Sequence, residues 1–178
     1  MLPYEIYYDL EKISKNQTIS KNDIMLLLHK YGKTISIHDL MIATCNMRES
    51  GKFVQKQYRE KFHQVYVKYF IMRIKEINED NRKDNKKINK TTLIEAIKLL
   101  KYQYEHETIT DKFQLIYTMV SIYTTFILEE PIHPVGTPFP GNLKVEEKNN
   151  IFYCPVKKAQ ENNANAVCKL CLAEQTPE

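Results

Sequence analysis

At 178 residues, 43% hydrophobic and with a net charge of only +4, the chain has the length of one domain and too much apolar content for wholesale disorder. Its most apolar stretch, Phe113–Leu128, is interrupted by Gln114, Thr118, Ser121, Thr124 and Thr125, and it falls short of the roughly 18 uninterrupted apolar residues of a membrane span, so no transmembrane helix is expected. The opening Met1-Leu2-Pro3-Tyr4-Glu5 has neither the basic nor the apolar region of a secretory signal, which predicts a cytoplasmic protein with free thiols.

From Pro3 to Leu128 apolar residues recur at spacings of three and four, and six helices are predicted. The first, Pro3 to about Lys15, aligns Ile6, Leu10 and Ile13. Ser20 caps the second, which carries Ile24, Leu27, Leu28 and Tyr31 until Gly32 stops it. Ser36 and Asp39 form a capping-box pair opening the third, which ends near Arg48, before Ser50-Gly51. The fourth, Lys52–Glu79, is the organising helix, with Val54, Tyr58, Phe62, Val65, Tyr69 and Met72 as its stripe and Tyr66, Phe70, Ile74 and Ile77 widening it. Asn78–Lys90 is a polar connection, read as a mobile surface loop, after which Thr91 or Thr92 restarts a helix with Leu93, Ile94, Ile97 and Leu100. Thr110-Asp111 opens the sixth; it is apolar on most sides and therefore central.

The pattern changes at Glu129. Pro131, Pro134, Pro138 and Pro140 with Gly136 and Gly141 exclude helix, and Leu143–Val145 and Ile151–Cys154 read as two short strands around a turn at Glu146–Asn150, followed by a helical turn near Ala166–Ala173. The division is thus a helical body, 1–128, and a C-terminal segment, 129–178, too poor in apolar residues to order itself and so docked on the body as part of one domain. The predicted fold class is mainly α, a bundle of about six helices with an irregular C-terminal segment that holds a short β-hairpin and a Cys/His cluster.

That cluster is where chemistry concentrates. Cys154, Cys168 and Cys171 are spaced so that two thiolates of one tight turn and a third from a strand end can reach one ion, supplying three of zinc's four tetrahedral ligands. His133 is the first choice for the fourth ligand and Cys45 the alternative. Zinc with three thiolates and one imidazole carries a formal charge of minus one, which Lys157, Lys158 or Lys169 can offset. An iron–sulfur cluster on the same cysteines is the alternative cofactor, a reversible Cys168/Cys171 dithiol ranks last, and buried unreactive cysteines are the plain structural reading.

No complete catalytic motif is present. Gly32-Lys33-Thr34 resembles the end of a phosphate-binding loop, but Leu27 stands where that motif needs glycine. Glu130 and His133 have di-iron spacing, yet the flanking prolines forbid the helix that spacing serves. The histidines His29, His38, His63 and His106 lack partners at metal spacing. The loop His133–Gly141 reads first as a rigid crossover and second as a ligand loop. Residues 129–178 hold five lysines against seven carboxylates, leaving +6 on the body. There Lys61, Lys68 and Lys75 recur along one face, with Lys83, Lys86 and Lys87 beyond, so an RNA or DNA surface is a further possibility, set against a solvated helix face. The many Tyr and Phe residues also leave room for a homodimer interface.

His133-Pro134-Val135-Gly136-Thr137-Pro138-Phe139-Pro140-Gly141, then Leu143-Lys144-Val145-Glu146-Glu147-Lys148, Tyr153-Cys154-Pro155-Val156-Lys157 and the run Cys168–Gln175, resemble the C-terminal signature of an uncharacterised protein family of methanogenic archaea. The likeness is most specific in the tail, and Gly141-Asn142 stands where that signature has two glycines. The resemblance implies a cytoplasmic archaeal setting and no activity, and an anaerobic setting favours the iron–sulfur alternative. The expected function is accordingly a structural-zinc helical protein acting as a binding or adaptor module. The alternatives are an iron–sulfur or zinc-dependent enzyme with His133 or Thr137 near a substrate, and a nucleic-acid binder.

Overall fold

The computed structural model describes residues 4–50, 56–106 and 112–177. Six helices make the body: α1 (Glu5–Ser14), α2 (Lys21–Gly32), α3 (Ile37–Ser50), α4 (Lys56–Glu79), α5 (Lys90–His106) and α6 (Phe113–Ile122), the last continuing as a π-helical turn over Tyr123–Leu128. Two capping boxes set the starts of α2 and α3. Ser20 Oγ accepts the Asp23 N–H at 3.2 Å while Asp23 accepts the Ser20 N–H at 2.8 Å, and Ser36 and Asp39 repeat both distances. Asn89, not Thr91, opens α5, its Oδ1 accepting the Thr92 N–H at 3.1 Å. The predicted openings at Pro3, Lys52 and Thr110 and the break at Gly51 lie outside the described residues.

The body packs around α6, on which Gln114, Leu115, Ile116 and every residue from Thr118 to Ile122 are buried. Helices α3, α4 and α5 all pack on it, as its apolar periphery predicted. The α4 stripe differs from expectation: Val67, Phe70, Ile74 and Ile77 face inward with Arg73, whereas Met72 is 46% exposed. Arg73 tolerates that place because its guanidinium is bonded to Glu76, Glu130 and the Tyr69 hydroxyl. Gly32 is the last residue of α2, where the sequence placed the stop, and a Cβ there would press on the exposed Asn78 side chain at the end of α4, which would have to swing aside.

The Asn78–Lys90 connection is exposed, but it is fastened down. Carbonyls of Lys86 and Asp84 accept the N–H groups of Lys21 and Asn22 at 3.0 and 2.9 Å, and Ile88 N–H reaches the Ile19 carbonyl at 2.8 Å. The segment thereby satisfies the first free amides of α2, which a mobile loop would leave to water.

Beyond Glu129 the chain forms β1 (Pro138–Phe139) paired with β2 (Leu143–Lys144), and β3 (Glu146–Lys148) paired with β4 (Ile151–Cys154). The predicted hairpin is thereby corrected. Its turn is Asn149-Asn150, both left-handed with φ of 54° and 62°, so the partner of β4 is Glu146–Lys148, and Leu143-Lys144 pairs backward instead. A short helix α7 (Lys157–Gln160) follows, then the expected helical turn, of 3₁₀ type at Val167–Lys169, and β5 (Glu174–Gln175), which lies parallel to β4 with Cys154 opposite Gln175. The segment is anchored by Ile132, Val167 and Leu170, which join the main core, and by β1 against α4.

Candidate functional site

The tail brings three of the predicted ligands to one corner. Cys154 ends β4 and is buried with Val145 and Ala173; Cys171, half-buried, packs on that cluster and on the main core at once. Cys168, also half-buried, sits in the 3₁₀ turn. The turn is fixed by Lys157, whose ammonium donates to the Cys168 carbonyl and, at 2.8 Å, to the Cys171 carbonyl. Of the three lysines offered by the sequence to balance charge, Lys157 is thus the one seated at the thiols.

Electrostatics bind the corner together. Burial pushes the Cys168 thiol up to about 11, with Cys171 and Cys154 adding repulsion and Lys157 opposing it. Cys154 is raised chiefly by burial too, with its backbone amide neighbours and Lys157 acting the other way. Both thiols are therefore protonated at neutral pH in the absence of a cation. Tyr66 of α4 borders the corner: burial raises its phenol, and the charges of Cys171 and Cys168 raise it further.

His133 reaches the corner's edge through that tyrosine. Its ring lies 4.5 Å from the Tyr66 ring, 5.9 Å from Phe139 and 6.0 Å from Phe62. Burial among these rings brings its pKa down to about 4 and keeps the imidazole neutral. Cys45 is exposed on α3. Among the described residues no group of three or more His, Cys, Asp or Glu side chains is placed to grip a metal ion; the thiols share a corner without being drawn around one point.

The remaining predicted features resolve differently. Thr137, offered beside a substrate, is fully buried, and its hydroxyl donates to the Pro134 carbonyl at 2.7 Å. With Gly136 N–H on the Val145 carbonyl at 2.8 Å, the His133–Gly141 segment is a crossover locked to the hairpin. Glu130 is committed to Arg73 and accepts from the Tyr69 hydroxyl at 2.7 Å, which removes it from any pair with His133. The basic stripe is partly spent: Lys86 holds Glu129 at 2.7 Å and Lys75 lies 3.8 Å from Glu79, while Lys61, Lys68, Lys83 and Lys87 are exposed. Sequence reasoning missed Tyr66 as the corner's wall, because it read that residue only as core. It also missed Arg48, Lys56, Arg59 and His63, which line one hollow between α3 and α4. The signal was present in α4, where Lys56, Arg59 and His63 recur at spacings of three and four.

No described helix is long and apolar enough to cross a membrane. Similar proteins are found in methanogens. A UPF0305 protein of Methanothermobacter thermautotrophicus is 31% identical over 159 residues, covering 88% of this chain and 97% of its own. A UPF0305 protein of Methanocaldococcus jannaschii is 28% identical over 158 residues, covering 85% and 93% respectively. One from Methanopyrus kandleri is 45% identical over 65 residues, or 36% of this chain and 46% of that protein. No solved structure matches. Residues 20–176 match the family described as "Uncharacterized protein conserved in archaea (DUF2115)", and the chain belongs to that family.

Proposed function

We propose that the protein is a binding module whose C-terminal segment is stapled by zinc, with Cys154, Cys168 and Cys171 as thiolate ligands and His133 as the fourth. One observation carries the reading: three cysteines, at the end of β4, in the 3₁₀ turn and just after it, share one corner of a segment whose own buried apolar cluster, among the described residues, is only Val145, Cys154 and Ala173. A core that small does not order the segment by itself, and metal ligation would add to its docking on the body through Ile132, Val167 and Leu170. The donor chemistry suits zinc, since soft thiolates and a neutral imidazole form its structural sites. Lys157 supplies a cation beside the thiols and holds the backbone carbonyls of Cys168 and Cys171. A closed set of four ligands leaves no coordination position for a substrate, which is why binding is preferred over metal catalysis.

Cobalt substitution tests this. Protein prepared without oxygen and titrated with Co²⁺ is expected to bind one equivalent, with the intense visible bands and thiolate charge transfer of a tetrahedral site, displaced by one equivalent of Zn²⁺. Weak octahedral spectra, or identical spectra after Cys168→Ser, contradict it.

A further inference from the structure

The trough between α3 and α4 has no part in the thiol corner. Two hollows open along it, of about 810 Å³ and about 600 Å³, and they adjoin at Thr44 and Ile71, which line both. Its two halves differ in charge. Arg48 of α3 and Lys56, Arg59 and Lys68 of α4 line the first, against the single carboxylate of Glu60. His63 joins them with Nε2 shielded from water and lacking a hydrogen-bond partner among the described residues. The second half is walled by Ile35, Ile37, Leu40, Met41 and Ile74, and its charges, Lys75 and Glu79, lie 3.8 Å apart and offset one another.

The apolar half is open to solvent, with Ile37 80% and Met41 64% exposed, an arrangement that marks a binding surface more often than a bare one. Cations crowded at one end of a low-dielectric cleft focus their field there, and arginine's forked donors suit phosphate and carboxylate oxygens. We propose that the trough binds an anionic amphiphile, a phosphate or carboxylate head on a hydrocarbon chain. The head lies beside Arg48 and Lys56, within reach of the unsatisfied His63, and the chain lies over Leu40, Met41 and Ile37. An amphipathic helix of a partner protein fits less well, because it asks for charge along both rims over the full length, whereas in the second half Lys75 and Glu79 offset one another. The apolar half has the volume of small-molecule sites, and the flexible Met41 adapts to chains of differing length. This names the ligand class of the binding role proposed above while using none of the zinc ligands.

The test is calorimetric titration of the full chain with monomeric dodecyl phosphate, and with dodecanol and inorganic phosphate as its two halves. Saturable binding at one site is expected, at least about tenfold tighter than either half. The double variant Arg48→Gln/Lys56→Gln and the single variant Met41→Lys change exposed positions, so circular dichroism should be unaltered while each weakens binding by about tenfold or more. Flotation with phosphatidylcholine vesicles, with and without phosphatidic acid, separates the sources. Recruitment by phosphatidic acid identifies a head group presented by a membrane, and monomer binding without recruitment identifies a free amphiphile; both support the site. Phosphate binding as tightly as dodecyl phosphate, non-saturating uptake, or undiminished affinity in both variants overturns it. Zinc content of the same variants should not change, so failure here is separable from failure of the metal reading.

Discussion

Two charged side chains with little solvent contact show how this fold uses polarity inside. Asp80, 6% exposed, accepts from the Arg82 backbone amide at 3.0 Å, from Arg82 Nε at 2.8 Å and from the Tyr123 hydroxyl at 3.0 Å. The Arg82 hydrogen bonds chiefly hold its carboxyl at about 2. A carboxylate depressed below its unfolded value of about 3.9 stabilises the fold fully above that value and loses the contribution as pH falls through about 2. Since Arg82 is largely in solvent, about 1–2 kcal/mol is a reasonable share. Asp80→Asn is therefore expected to lower stability by that amount at pH 7, and urea unfolding of the variant should vary less between pH 4 and pH 2 than that of the parent.

Lys21 is the second case. Its buried ammonium donates to the Ile127 carbonyl at 2.7 Å and lies 3.4 Å from Glu129 and 3.8 Å from Asp84, joining α2, the 80–89 segment and the end of α6. A cation belongs at that helix end, where carbonyls are unpaired. Lys21→Ala should cost about 1–3 kcal/mol by denaturant unfolding, the lower part of the range for buried pairs because both carboxylates are half in water.

At the scale of elements, the parts written in local chemistry were legible. Ser20/Asp23 and Ser36/Asp39 marked helix starts because a capping box is a short-range interaction that the sequence spells out. The end of the sixth helix at Leu128 was legible too, from the prolines that follow, but its π-helical last turn was not. There the Thr124 carbonyl accepts from both Glu129 and Glu130 N–H groups and Glu129 turns left-handed at φ 57°, while Tyr123–Ile127 are buried without a break and so give no period from which the wider turn could be read. The hairpin was placed one turn too early because Leu143 and Val145 looked like the apolar members of a strand. Val145 instead ends a crossover, bonding Thr137, and the adjacent asparagines 149 and 150, which tolerate positive φ, define the turn. Asn150→Gly should raise the unfolding midpoint slightly, by about 0.5 kcal/mol, whereas Asn150→Val should cost about 1–2 kcal/mol, since a β-branched residue resists the left-handed region.

For the whole molecule, the relation of the tail to the body is the main question. The cysteine spacing indicated a meeting of thiols, and Cys154, Cys168 and Cys171 do share a corner. Long-range partners were beyond spacing alone: β5 beside β4, Lys157 across the turn, and Tyr66 with His133 at the edge depend on how the crossover docks on α4. The α3–α4 trough was hidden for the same reason, as its wall residues come from two helices whose crossing no local pattern sets. If zinc fixes the tail, Cys168→Ser should speed proteolysis within residues 129–178 and leave most helical circular dichroism intact, because among the described residues few buried side chains of that segment, Ile132, Val167 and Leu170, join the main core. An unchanged cleavage pattern would argue that packing alone holds it.

The most direct measurement is metal analysis, with an optical spectrum, of protein purified without oxygen, repeated on Cys154→Ser/Cys171→Ser. The expected result is near-stoichiometric zinc, without visible absorbance, lost in the double variant. Iron with visible bands, or no metal in either protein, would contradict the zinc staple.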